Sequence, residues 1–71
     1  MSQEDRVIDY LEKNGSITSM DAIYHLGIMD LPKRISELIR KGTDINKQWE
    51  SGRNRYGEPI HYMRYSLGGR N

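Results

Sequence analysis

Lys33, Ser36, Glu37 and Arg40 recur three and four residues apart, a spacing that gathers side chains on one side of a helix. Two cations, a hydroxyl and a carboxylate in that arrangement are donor and acceptor types that reach base edges and phosphates in a major groove. Arg34 and Lys41 lie on the flank of the same stretch and suit phosphate. Further along, Arg53-Asn54-Arg55-Tyr56 sits within a run of turn formers from Ser51 to Glu58. Arginines and an asparagine at a hairpin tip suit a minor groove or a phosphate backbone, with Tyr56 placed to stack or to bond phosphate. Each group also has an ordinary alternative. Lys33 and Glu37 form an i,i+4 pair of a solvated helix, and loop charges keep an exposed edge soluble.

Other chemistry finds no footing. The sequence has no paired acids suggestive of a cleft, no nucleophile beside a base and no phosphate-cradling glycine loop, so catalysis is not expected. His25 and His61 are far apart and there is no cysteine, which leaves no expected metal site, disulfide or cofactor. Seventy-one residues make one domain with a thin core. No apolar run approaches a membrane span and no signal-peptide h-region opens the chain, so a cytoplasmic protein is expected.

Charge is unevenly placed. From Met1 to Asp30 there are two basic residues against six acidic, a net −4; from Leu31 to Asn71 there are nine against four, a net +5. A polyanion is therefore drawn to the C-terminal part and repelled by the N-terminal part.

The elements that hold these side chains can be read in order. Ser2-Gln3-Glu4-Asp5 opens a helix as a capping box, with Asp5 in place of the more usual Glu or Gln. Val7, Ile8 and Leu11 keep helical spacing beside Tyr10, and Asn14-Gly15 stops the run, which predicts helix 1 over about Gln3 to Lys13. Ser16-Ile17 makes a strand stub with Ile17 tucked against the core. Thr18 and Asp21 repeat the capping pattern and start helix 2, whose expected apolar set is Met20, Ala22, Ile23 and Leu26 and which closes near His25 before Gly27.

Asp30 is placed to cap helix 3, with Pro32 in a first-turn slot where its missing N–H costs nothing. At about 100° per residue, Ile35, Leu38 and Ile39 gather with Leu31, while Lys33, Ser36, Glu37 and Arg40 face outward; Gly42 ends the helix. A hairpin follows. Asp44 to Glu50 alternates with Ile45, Lys47 and Trp49 on one side, Ser51 to Glu58 is the expected loop, and Pro59 to Leu67 returns. His61, Met63, Tyr65 and Leu67 share one face of the return strand, and Ile60, Tyr62, Arg64 and Ser66 the other. Trp49 is expected in the core of so small a domain, as are Tyr10, Tyr24, Tyr62 and Tyr65, while Tyr62 and Arg64 also have the option of extending the wing's surface. The domain is expected to span residues 1–67, with 68–71 a frayed tail.

The order helix, short strand, helix, helix, strand, loop, strand is that of an α+β winged helix-turn-helix, a three-helix core with a C-terminal β-hairpin wing. With Gly15-Ser16-Ile17-Thr18 before helix 2, Leu26-Gly27-Ile28 at the turn, Asn54-Arg55-Tyr56-Gly57 in the loop and Met63-Arg64-Tyr65-Ser66-Leu67 at the end, the chain resembles small winged helix-turn-helix proteins found widely in phages and prophages. The likeness spans about Arg6 to Leu67. Ile28, Leu31, Ile35 and Leu38 imply a turn slightly longer than the compact pattern, which leaves the first base-contacting residue open.

The resemblance implies double-stranded DNA as the partner. The expected function is a small phage or prophage transcriptional regulator, with helix 3 in the major groove and the hairpin on adjacent backbone or minor groove. A homodimer or clustered sites would strengthen so small a contact. Two alternatives stand beside it: a protein-interaction winged helix that binds a host or phage protein through acidic helix 1, and an excisionase-like architectural factor that bends DNA.

Overall fold

The computed structural model of the protein describes residues 1–68. Helix α1 (Gln3–Asn14) leads into strand β1 (Ile17–Thr18), helix α2 (Ser19–Asp21), a π-helical turn (Ala22–Leu26), helix α3 (Leu31–Arg40) and the hairpin strands β2 (Ile45–Arg53) and β3 (Pro59–Leu67). The sheet is antiparallel with order β1-β3-β2, so the returning strand is central. Gly69 to Asn71, most of the expected tail, lie outside the described residues; the Gly68 N–H donates to the Asp44 carbonyl at 2.7 Å.

Both capping boxes form. The Ser2 hydroxyl accepts from the Asp5 N–H at 3.0 Å, and the Asp5 carboxylate accepts in return from the Ser2 N–H. Thr18 and Asp21 repeat the exchange at the start of α2. Each box satisfies donors that the first helical turn leaves without partners. Gly15 and Gly27 end their helices at φ 89° and 69°, a left-handed conformation that glycine adopts without the clash a Cβ would bring. At α3, Pro32 occupies the first turn, but the Asp30 side chain makes no cap; its carbonyl receives the Lys33 and Arg34 N–H groups instead.

The core consists of Val7, Leu11, Ile17, Ala22, Ile28, Leu31, Ile35, Leu38 and Tyr65, with Ile8, Tyr10, Leu26, Ile45, Met63 and Leu67 packed against it. Each large aliphatic side chain so buried contributes about 1.5–3 kcal/mol. Three apolar residues expected in the core from the second and third helices lie at the surface instead. Met20 is 70% exposed, Ile23 is at the surface, and Ile39 lies on the outer flank of α3. The second helix presents Ala22 and Leu26, four residues apart, and the wider turn that follows carries Ile28 inward; the Ile28 N–H bonds back to the Ala22 carbonyl at 3.0 Å. Met20 stands about 200° around the helix from Ala22 and lines an open groove with Ile60, Tyr62 and Met63.

The hairpin differs most from expectation. Strand β2 runs on to Arg53, opposite Pro59, so Ser51, Gly52 and Arg53 are strand residues and the loop contracts to 54–58. The two faces are as expected, since Ile45, Lys47 and Trp49 oppose Leu67, Tyr65 and Met63. Trp49, however, is 68% exposed rather than core. Nine residues of strand reach about 30 Å, close to the molecule's longest dimension of 38 Å. Tyr65 is buried on this face, whereas Trp49, opposite the half-buried Met63, is open to solvent. Tyr24 is also exposed, whereas Tyr10 and Tyr62 are half-buried.

Candidate nucleic-acid interface

Helix α3 is fixed by Leu31, Ile35 and Leu38, which turn the opposite side outward. On that side Lys33, Ser36 and Arg40 are exposed, and among the described residues their side chains make no hydrogen bond or ion pair. Pro32 and Ile39 border them and give the surface an apolar margin. A helix presenting unengaged donors beside small apolar groups has what base edges and the thymine methyl require.

Glu37, Arg34 and Lys41 are placed differently. Glu37 is half-buried and pairs with Arg34 at 3.2 Å, and Arg34 also reaches Asp30 at 3.6 Å. Lys41 donates to the Glu4 carboxylate of α1 at 2.6 Å. The neighbouring Glu37 carboxyl and the Lys41 ammonium hold the Glu4 carboxyl below its usual range. The bond to Glu4 in turn raises Lys41. These charges form a seam between α1 and α3 that orients the helix. Glu37 therefore does not stand on the open outer face with Lys33 and Arg40, because the flank it occupies turns toward α1.

The loop is built around Asn54. Its Oδ1 accepts from the Tyr56 and Glu58 N–H groups at 2.9 and 3.0 Å, and its Nδ2 donates to the Glu58 carboxylate at 2.8 Å. Its backbone closes the turn through Glu58 and Gly57. Asn54 thus uses its side chain inside the loop, an asparagine role common in turns. Arg53 donates to the Gly57 carbonyl at 2.7 Å. Arg55 and Tyr56 remain exposed at the tip, Tyr56 to 80%.

On the sheet, Arg64 donates to Glu50 at 2.8 Å and to the Ser16 hydroxyl at 3.0 Å, so it belongs to the β1–β3–β2 frame. That bond lowers the Glu50 carboxyl and raises the guanidinium. His25 stacks on Tyr10 with ring centroids 5.8 Å apart and meets the edge of Tyr24 at 5.3 Å. A further row joins Arg53 to residues outside the expected site. Lys47, Trp49, Ser51 and Arg53 alternate along β2 on the face shared with Tyr65, and all four are exposed. Their period-2 spacing was the available signal, masked by the expectation that tryptophan is core.

No helix of the described residues is long and apolar enough to cross a membrane. No curated protein and no solved structure matches the chain. A family model described as a winged helix-turn-helix domain matches residues 2–70. That match and the α+β arrangement of three helices and a three-stranded antiparallel sheet agree, and such a domain points to DNA as a partner. The chain belongs to the winged helix-turn-helix domain family.

Proposed function

We propose that this protein binds double-stranded DNA with a preference for sequence, and acts as a small transcriptional regulator of the phage or prophage kind. The observation that carries this reading is the unengaged outer face of α3, where Lys33, Ser36 and Arg40 stand exposed in a winged helix-turn-helix domain. Helix α3 enters the major groove, Ser36 and Arg40 approach base edges, and Lys33 meets a base or phosphate. Arg55 and Tyr56, held out by the Asn54 turn, reach neighbouring backbone or minor groove. Arg34, Glu37 and Lys41 act chiefly by setting the angle of α3 against α1. A single module of this kind buries about 600–1,000 Å², so function at a regulatory site takes two copies or clustered sites. The regulator role rests on the resemblance to phage and prophage winged helices.

The test is the salt dependence of binding to a labelled duplex. Each phosphate contact contributes a slope of about −0.9 in log K against log salt. Arg40→Ala and Arg55→Ala should weaken binding, and whichever contacts phosphate should reduce the slope by about one. Affinity that does not change with salt refutes the proposal.

A further inference from the structure

Trp49 presents an unexplained surface: a large aromatic ring, 68% exposed, on a strand face that the helices leave open. Its neighbours on that face are Lys47 on one side and Ser51 and Arg53 on the other, with Met63 opposite and His61 diagonal to it across β3. At about 3.3 Å per strand residue, Lys47 lies about 7 Å from Trp49 and Arg53 about 13 Å on its other side, in line toward the loop, where Arg53 also donates to the Gly57 carbonyl. No carboxylate shares this face between Lys47 and Arg53 or on the opposed stretch of β3. Glu50 points to the other side of the sheet, where Arg64 neutralises it.

We propose that the Lys47–Trp49–Arg53 face of the hairpin is a second nucleic-acid site, which takes an unpaired base of single-stranded DNA against the Trp49 indole. This deepens, and rests on, the reading of the chain as a DNA-binding protein. The cations and the absence of acids fit a polyanion, whereas Lys47 and Ser51, which flank the indole, are residue types depleted from protein interfaces. Within a duplex each base is covered above and below by its neighbours, so an exposed indole gains a base face only where the strand is unpaired. Lys47 and Arg53 then track the backbone on either side of the stacked base. Such a strand is present wherever a duplex opens beside the site gripped by α3.

Trp49 is the sole tryptophan, so intrinsic fluorescence reads this position directly. A short oligothymidylate strand and a blunt duplex are the two probes, with circular dichroism confirming that each variant is folded. The oligothymidylate should quench Trp49, and less so at high salt. Trp49→Ala should lower its affinity for a labelled oligothymidylate about tenfold while duplex affinity is unchanged. Lys47→Gln and Arg53→Gln should each weaken the single strand at low salt. Fluorescence unmoved by oligothymidylate while the duplex still binds overturns this site alone. A quench as strong with the blunt duplex as with the single strand overturns base stacking. Loss of duplex binding with the oligothymidylate quench intact overturns the major-groove reading instead.

Discussion

The Lys41 ammonium donates to the Glu4 carboxylate at 2.6 Å, joining the C-cap of α3 to the first turn of α1 across 37 positions of sequence. The pair makes an acidic first helix part of the device that aims a basic third helix. It also means that a DNA phosphate approaching Lys41 competes with a carboxylate already in place.

Removing that carboxylate should therefore help binding while slightly loosening the fold. Glu4→Gln is expected to bind a duplex about two- to threefold more tightly at low salt, with the gain fading as salt screens the charges. Its melting temperature should fall a little, because Lys41 is exposed and solvent weakens the pair. Duplex titrations of both proteins at two ionic strengths check this, and weaker binding by the variant would count against the seam as a competitor.

Acid should destabilise the protein in a definite window. Glu4 is lowered by the neighbouring Glu37 carboxyl and the Lys41 ammonium, and Glu50 is lowered by Arg64. A carboxyl lowered in the folded state contributes stability above its unfolded value, and that contribution disappears as pH falls through the folded value. The melting temperature should hold between about pH 7 and 5 and drop below about 4.5. Glu4→Gln and Glu50→Gln should each shrink the drop. On the alkaline side, Lys41 is raised by Glu4 and Tyr65 by burial. Their contributions are complete below the unfolded values and vanish as pH rises through the folded ones, so a second decline is expected above about pH 10.

Ile28 and Met20 separate the observed core from the expected one. Ile28→Ala removes a fully buried side chain just past the π-helical turn and should cost about 2–5 kcal/mol. Met20→Ala, at the surface, should stay within about 0.5 kcal/mol. Urea denaturation of both variants reads the difference, and a reversal of the order would contradict the placement of helix 2.

Much of this architecture was legible in the chain because its signals are local. Ser2 with Asp5 and Thr18 with Asp21 carry their capping geometry in four residues, and the alternation of β3 assigns both its faces. Other features depend on contacts made far along the sequence. Nothing near Trp49 says that this face is open there; burial on the face reaches Tyr65 and stops short of Trp49. Nothing near Glu37 or Lys41 reveals that Glu4 lies beside them. Asn54 was correctly placed in the loop, but Asn side chains serve turns and bases with the same atoms, and only the loop's hydrogen bonds show how they are used.

The Asn54 bonds give that distinction a test. Asn54→Ala deletes two acceptor bonds and one donor bond and should cost about 1–2 kcal/mol or less, since the loop is solvated. The Tyr56 and Glu58 amide resonances should move and lose protection before any DNA is added. If those amides stay in place while only duplex affinity falls, Asn54 is a direct contact and not the keystone of the turn.

Contact of the outer face of α3 and the tip of the wing with duplex DNA is read residue by residue in an NMR titration of labelled protein with a random-sequence duplex at two salt concentrations. Shifts are expected at Lys33, Ser36, Arg40, Arg55 and Tyr56, diminishing at the higher salt, with the Val7 and Leu11 side of α1 still. Resonances of α3 and the wing that stay fixed while the fold is intact would contradict DNA binding by this surface.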